Sequence, residues 1–335
     1  MLECIRRKLR SPTHSTAVSL TAGNFVTPED QISFGLIRIL DGGMATELER
    51  RGCNISGPLW SAHVLDTSPA VIAAVHLDYL RAGADCISTA SYQISAKGYA
   101  ELGRPRADAD HALRQSVEFA EQARAAYAAE NPRPVRIAAS LGPYGAALYN
   151  GAEYHGRYDI DFKALVAFHA ERLAVLAQTN ADLIAFETVP SLEEARAILA
   201  ALEKFPSLSA WISFTCRDRA QVAHGEPLGE CAALLTNSPQ VLALGINCTP
   251  PHLVTELIHA ARIAGGKSVI VYPNSGEIWA AATRTWQGQP DPVRFGDLAR
   301  EWFAAGAQAV GGCCRTGPAH IAAVREALAI AGLIP

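Results

Sequence analysis

A single (β/α)8 barrel is the fold class this sequence predicts, and three observations carry the expectation. From about residue 34 onward a short apolar, β-branched run recurs, ends in small or polar residues, and gives way to an Ala-rich helical stretch. The runs are continuous rather than alternating, as in parallel strands covered on both faces. Eight such units in about 300 residues match the size of a barrel. A doubly wound open sheet shares the alternation, but no GxGxxG follows the first run and no GxxxxGK[ST] occurs. No break in composition divides residues 34–335, so one domain is expected there.

In order, the strand-like runs are LIRILDGG (36–43), ADCISTASY (84–92), VRIAASLGPYG (135–145), ADLIAFETVP (181–190), AWISFTC (210–216), VLALGINC (241–248), KSVIVYPNSG (267–276) and AQAVGGCC (307–314). Between them, RAGADC, TNADLI and AAGAQAV each mark a helix end running into a strand. The clearest helix is SPAVIAAVHLDYLRAG. There Ser68 is placed to cap, Pro69 suits the first turn, and Gly83 ends the helix.

Composition narrows the function classes. The chain has 335 residues, 49% apolar and 19% charged, too apolar for disorder. A net charge of −4 points to neither a nucleic-acid nor a membrane-surface partner. No run approaches the eighteen apolar residues of a membrane span. The eight cysteines are scattered rather than dense, which fits free thiols in a reducing cytoplasm better than a disulfide scaffold. Residues 1–33 stand apart. They carry Arg6, Arg7, Lys8 and Arg10, then a Ser/Thr-rich segment with no acid between Glu3 and Glu29. This faintly resembles an organellar transit peptide; the plainer expectation is a disordered leader with no address.

The unusual polar residues fall at the ends of the predicted strands. Asp41, Tyr92, Ser140 and Glu187 end the first four, Cys248 the sixth, Asn274 the seventh, and Cys313 with Cys314 the eighth. In a barrel those ends converge on the face that carries chemistry. Three thiolates there make a zinc site with an open fourth position. Gly311 and Gly312 would let the backbone crowd the metal. Buried, inert cysteines are the competing reading, and local sequence leaves the two level. Asp41 before two glycines reads equally as a turn residue. His63, His76, His169 and His320 lie in helical stretches and are assigned to packing or surface. Arg315 and Thr316 are expected to start the last helix.

ILDGGMATELERRG (39–52), PLWSAHVL (58–65), HLDYLRAGAD (76–85), TASYQ (89–93), SLGPYGA (140–146), FETVP (186–190), GINC (245–248), VYPNSGE (271–277) and GGCCRT (311–316) together resemble the homocysteine S-methyltransferase family. Within it, HLDYLRAGAD, TASYQ, GAEYHGRY and YPNSGE are most similar to the branch using S-methylmethionine or S-adenosylmethionine. The resemblance implies that Cys248, Cys313 and Cys314 hold Zn2+. It implies that Asp41 and Glu187 hold the α-amino group of homocysteine, beside a loop of Gly42, Gly43 and Met44. Tyr92, Ser140 and Asn247 match further positions lining that pocket. The implied partners are homocysteine and a sulfonium methyl donor, with no nucleic acid or membrane. A free thiol has a pKa of about 8.5, so little is thiolate at neutral pH; zinc bound by three thiolates deprotonates a fourth and leaves it electron-rich. Aromatic faces at Tyr92, Tyr144 or Tyr154 are expected to hold the sulfonium by cation–π contact. Selenocysteine as acceptor, betaine as donor, and a catalytically inactive zinc protein are the alternatives.

Overall fold

The computed structural model describes residues 35–55, 59, 61–280 and 285–334. The leader assigned to residues 1–33 lies outside them. Each of the eight predicted runs contributes to one parallel barrel wall. Seven contribute regular strands: β1 (Cys86–Ser88), β2 (Arg136–Leu141), β3 (Leu183–Val189), β4 (Ala210–Phe214), β5 (Val241–Asn247), β6 (Ser268–Tyr272) and, after an antiparallel hairpin of β7 (Ile278–Ala280) and β8 (Thr285–Gln287), β9 (Ala309–Val310). Their order is β1-β2-β3-β4-β5-β6-β9, every neighbour parallel.

The first run closes the seam between β1 and β9, and does so with two residues. Ile39 bridges Val310 and Leu40 bridges Cys86, both parallel. Leu40 N–H donates to the Val310 carbonyl at 2.9 Å, and Asp85 N–H to the Ile39 carbonyl at 2.7 Å. Asp85 adds side-chain support, its Oδ2 accepting from the N–H groups of Arg38 and Ile39.

Alternation along each strand sorts residues between two apolar cores. Ile137, Ala139, Ile184, Phe186, Val269 and Val271 face the helices. Ala138, Leu183, Ala185, Trp211, Ile270 and Tyr272 fill the barrel interior. Continuing the inward parity by two residues brings Ser140 on β2 and Glu187 on β3 to the top of that interior, level with Tyr272 on β6. This is why polar residues at these strand ends share one chamber.

The helix Pro69–Ala82 forms where predicted, with Gly83 left-handed at φ 111°. Its N-cap Ser68, however, makes no side-chain cap bond. At the other end of the chain, Arg315 and Thr316 do not start the last helix, which spans Pro318–Ile330. No helix among the described residues is long and apolar enough to cross a membrane.

Candidate functional site

The barrel topology brings β5 beside β6 and β6 beside β9, so Cys248 meets Cys313 and Cys314 at one rim. The three Sγ atoms lie within 4.8 Å of one another, and Cys248 Sγ is 3.8 Å from Cys314 Sγ. Tetrahedral zinc with Zn–S bonds of about 2.3 Å needs sulfurs about 3.8 Å apart. The spacing therefore suits a shared metal. Among the described residues no histidine, carboxylate or other cysteine joins the three. All three cysteines are free thiols. Hydrogen bonds from the Cys248 and Cys313 thiols, with the Arg315 guanidinium nearby, hold Cys314 well below the usual thiol range. Hydrogen bonds with Cys248 and Cys314, followed by burial, raise Cys313.

The backbone around the cysteines is over-determined. Cys248 sits at φ 47° and Arg315 at φ 67°, both left-handed. Asn274 Oδ1 accepts from Cys314 N–H at 3.2 Å, and Ser275 N–H donates to the Cys314 carbonyl at 3.1 Å. Arg315 is tied to Glu277 and Glu49 by ion pairs of 3.3 and 3.5 Å. The two glycines before Cys313 serve a different purpose from the one predicted. A Cβ on Gly311 would lie 2.6 Å from Leu40 Cβ, and one on Gly312 would lie 2.3 Å from Thr316 Oγ1. Their smallness lets the last strand pack on the barrel seam and on Thr316, rather than on a metal. Thr316 in turn accepts from Gly43 N–H, and Tyr79 OH donates to the carbonyls of Gly43 and Thr316 at 3.1 Å each. The Gly42–Gly43 loop is thus stapled to the cysteine loop. Met44 opens the helix Met44–Arg50 and packs against the outer core.

Below the cysteines lie the two predicted carboxylates. Asp41 Oδ2 accepts from Ser88 N–H at 2.7 Å, and Glu187 Oε2 accepts from Ser140 Oγ at 2.5 Å, with Tyr272 as a second partner. Burial raises Asp41 well above the usual carboxylate range, and the neighbouring charge of Glu187 adds to the effect. Burial likewise raises Glu187 to about 7, against the hydrogen bonds from Ser140 and Tyr272. Among the described residues neither carboxylate has a lysine or arginine partner. A cation placed between two buried carboxylates would relieve both their burial and their repulsion.

Thr188, which sequence reasoning passed over, connects the two halves of the site. It stands at a register shift of β3 against β4, with φ 59°. Asn247 clamps it: Oδ1 accepts from Thr188 N–H at 2.8 Å and Nδ2 donates to Thr188 Oγ1 at 3.0 Å. The Thr188 hydroxyl also reaches the Cys248 thiol and the Tyr92 phenol. Asn247, predicted to line the pocket, is 1% exposed and has its amide committed to Thr188. Tyr272, also unforeseen, joins Trp211, Ser213 and Glu187 across the chamber.

Of the three tyrosines considered for a sulfonium, two have the cysteines as electrostatic neighbours. Tyr92 is under the influence of Cys248 and Cys313, its ring packed on Gly142. Tyr154 is 48% exposed and has Cys248 as its strongest electrostatic neighbour. Tyr144 instead stacks edge-on against Tyr158 and Phe168. The histidines follow expectation. His63 is exposed, while His76, His169 and His320 are buried. His169 belongs to a buried network in which Glu194 accepts from Tyr144 N–H and Arg172 donates to the Gly142 carbonyl.

Fold and site together define a parallel barrel with a cluster of three cysteine thiols at its rim and two buried carboxylates nearby. The sequence model of the family described as homocysteine S-methyltransferase matches residues 38–328. Homocysteine S-methyltransferase YbgG of Bacillus subtilis is 46% identical over 84% of this chain and 91% of its own. Selenocysteine Se-methyltransferase of Brassica oleracea var. italica is 41% identical over 87% of this chain and 88% of its own. The solved structure of the Escherichia coli homocysteine methyltransferase MmuM in its metallated form superposes with a TM-score of 0.79 at 44% identity, covering 87% of this chain and 96% of that one. The chain belongs to the homocysteine S-methyltransferase family.

Proposed function

We propose that the protein makes methionine by moving a methyl group from S-methylmethionine or S-adenosylmethionine to homocysteine. The observation that carries this reading is the three-sulfur cluster, spaced for zinc and lacking a fourth protein ligand among the described residues, next to two buried carboxylates. Cys248, Cys313 and Cys314 would hold Zn2+, which when bound would keep the homocysteine sulfur deprotonated and nucleophilic. Asp41 and Glu187 receive the homocysteine ammonium, each ionised once that charge is present. Ser140 and Tyr272 orient the Glu187 carboxylate. Tyr92 and Tyr154 present aromatic surface to the sulfonium. The donor's S–CH3 bond breaks as the new S–CH3 bond forms. The electron pair of the old bond stays on the donor sulfur, which leaves as a neutral thioether. Because the donor's charge disappears in that step, moderate aromatic contact is preferable to a carboxylate placed on the sulfonium itself.

The test combines metal content with turnover. Cys248→Ala, Cys313→Ala and Cys314→Ala should each lose zinc and methyl transfer together, and full activity in any of them would sink the reading. Asp41→Ala should keep zinc and raise the homocysteine KM. The Brassica relative favours assaying selenocysteine beside homocysteine, since a selenol reaches the same position.

A further inference from the structure

The short turn Ala152–Tyr154 carries another acidic group, Glu153, with Cys314 as an electrostatic neighbour. Glu153 is 7% exposed. One carboxylate oxygen takes the hydrogen bond of its own backbone N–H. The other, Oε2, is buried and has no hydrogen-bond partner among the described residues. Its electrostatic neighbours are Cys314 and the Tyr92 phenol, whereas Asp41 and Glu187 act on one another. Glu153 is therefore an acidic position separate from Asp41 and Glu187, within electrostatic reach of the cysteine cluster.

That position is built. Gly145 lets the turn dock, since a Cβ there would lie 2.4 Å from Glu153 N and 2.9 Å from its Cα. Asn150 Oδ1 accepts from Ala152 N–H at 3.1 Å, and Gly156 N–H donates to the Ala152 carbonyl at 2.8 Å. The preceding loop is anchored by Glu194 at Tyr144 N–H, 2.6 Å. The next residue, Tyr154, is half-exposed, so the turn lies where the site opens to solvent.

A buried acceptor without a donor calls for a ligand that supplies one. The donors named above carry two cationic groups, and only one of them has N–H bonds. The sulfonium has none; the α-ammonium has three. We propose that Glu153 Oε2 receives the α-ammonium group of the sulfonium donor, forming a donor subsite on the opposite substrate from Asp41 and Glu187. The assignment rests on the methyl-transfer reading. It also fits the energetics of the reaction. The ammonium keeps its charge through methyl transfer, so a carboxylate on it strengthens ground state and transition state alike. Removing it should raise KM and leave kcat unchanged.

The experiment uses the zinc-loaded full chain and two sulfonium compounds: S-methylmethionine, and 4-dimethylsulfoniobutanoate, which is the same molecule without its amino group. Calorimetry in the absence of homocysteine gives Kd, and methyl transfer gives KM and kcat. Glu153→Gln should weaken S-methylmethionine at least about tenfold in Kd and KM, the loss expected of one charge-assisted hydrogen bond. Its kcat, zinc content, homocysteine KM and affinity for the amine-free compound should match wild type, and Glu153→Ala should repeat the pattern. Equal weakening of both compounds, unchanged S-methylmethionine affinity, or loss of zinc would each overturn the subsite. Wild-type protein that binds S-methylmethionine yet transfers no methyl group would sink the methyl-transfer reading alone, with the binding comparison still deciding Glu153. Binding of neither compound would overturn the subsite.

Discussion

Asn247→Ala should cost about 1.5–4.5 kcal/mol of stability, and the sum follows from what the amide holds. Thr188 is a β-branched residue at φ 59°, a conformation that costs on the order of 1–3 kcal/mol unless its surroundings enforce it. Asn247 enforces it with two bonds, 2.8 Å from Thr188 N–H and 3.0 Å to Thr188 Oγ1. Alanine leaves the buried N–H unsatisfied, about 1–3 kcal/mol, and forfeits the side-chain bond, about 0.5–1.5 kcal/mol. Urea unfolding followed by circular dichroism measures the difference. The family resemblance placed Asn247 in the substrate pocket, which predicts the opposite pattern. A variant of wild-type stability with a raised homocysteine KM would refute the clamp and restore the pocket role.

Two further predictions concern the same rim. Glu187 has its pKa raised to about 7 when buried without a cation. Its folded-state value thus exceeds its unfolded value of about 4.3. The group's stabilisation is complete below pH 4 and lost as pH rises through 7, about 3–4 kcal/mol in all. Glu187→Gln should therefore raise the melting temperature of the substrate-free protein more at pH 8 than at pH 5, and an equal change at both would refute the shift. Thr188→Val keeps the branched shape but removes the hydroxyl from Cys248 and Tyr92. Zinc affinity, read by competition with a chelator, should fall about 10–100-fold as for other outer contacts to a ligand; unchanged affinity would leave that hydroxyl without influence on the metal.

The parts of this architecture legible from sequence are those written in short-range pattern. Continuous apolar runs announced every barrel strand, and their polar last residues announced the rim. Ser140 and Glu187 could be placed because strand alternation carries them inward. Thr188, Tyr272 and Glu153 were not singled out, although each lies in a quoted motif. Their importance depends on partners far along the chain: Asn247 for Thr188, Trp211 for Tyr272, Cys314 for Glu153. The glycines before Cys313 were noticed for the right physical property and given the wrong neighbour. Only the closed seam shows that Leu40 and Thr316, not a metal, occupy the space a side chain would need. The β7–β8 hairpin stayed hidden because three-residue strands give too little alternation to read.

The two-residue seam at Ile39 and Leu40 has a consequence for biosynthesis. Ile39 and its bridge partner Val310 stand far apart along the chain, so the seam cannot close until the segment carrying Val310 has been made. A nascent chain on the ribosome can fold its helices and pair β1 through β6, but its barrel stays open and its apolar interior unsealed. Cys313 and Cys314 arrive with the same segment as Val310. The three-cysteine cluster therefore cannot assemble before that segment is made, and a chain cut short before residue 309 has an unpaired strand edge for an aggregation partner instead of a closed barrel.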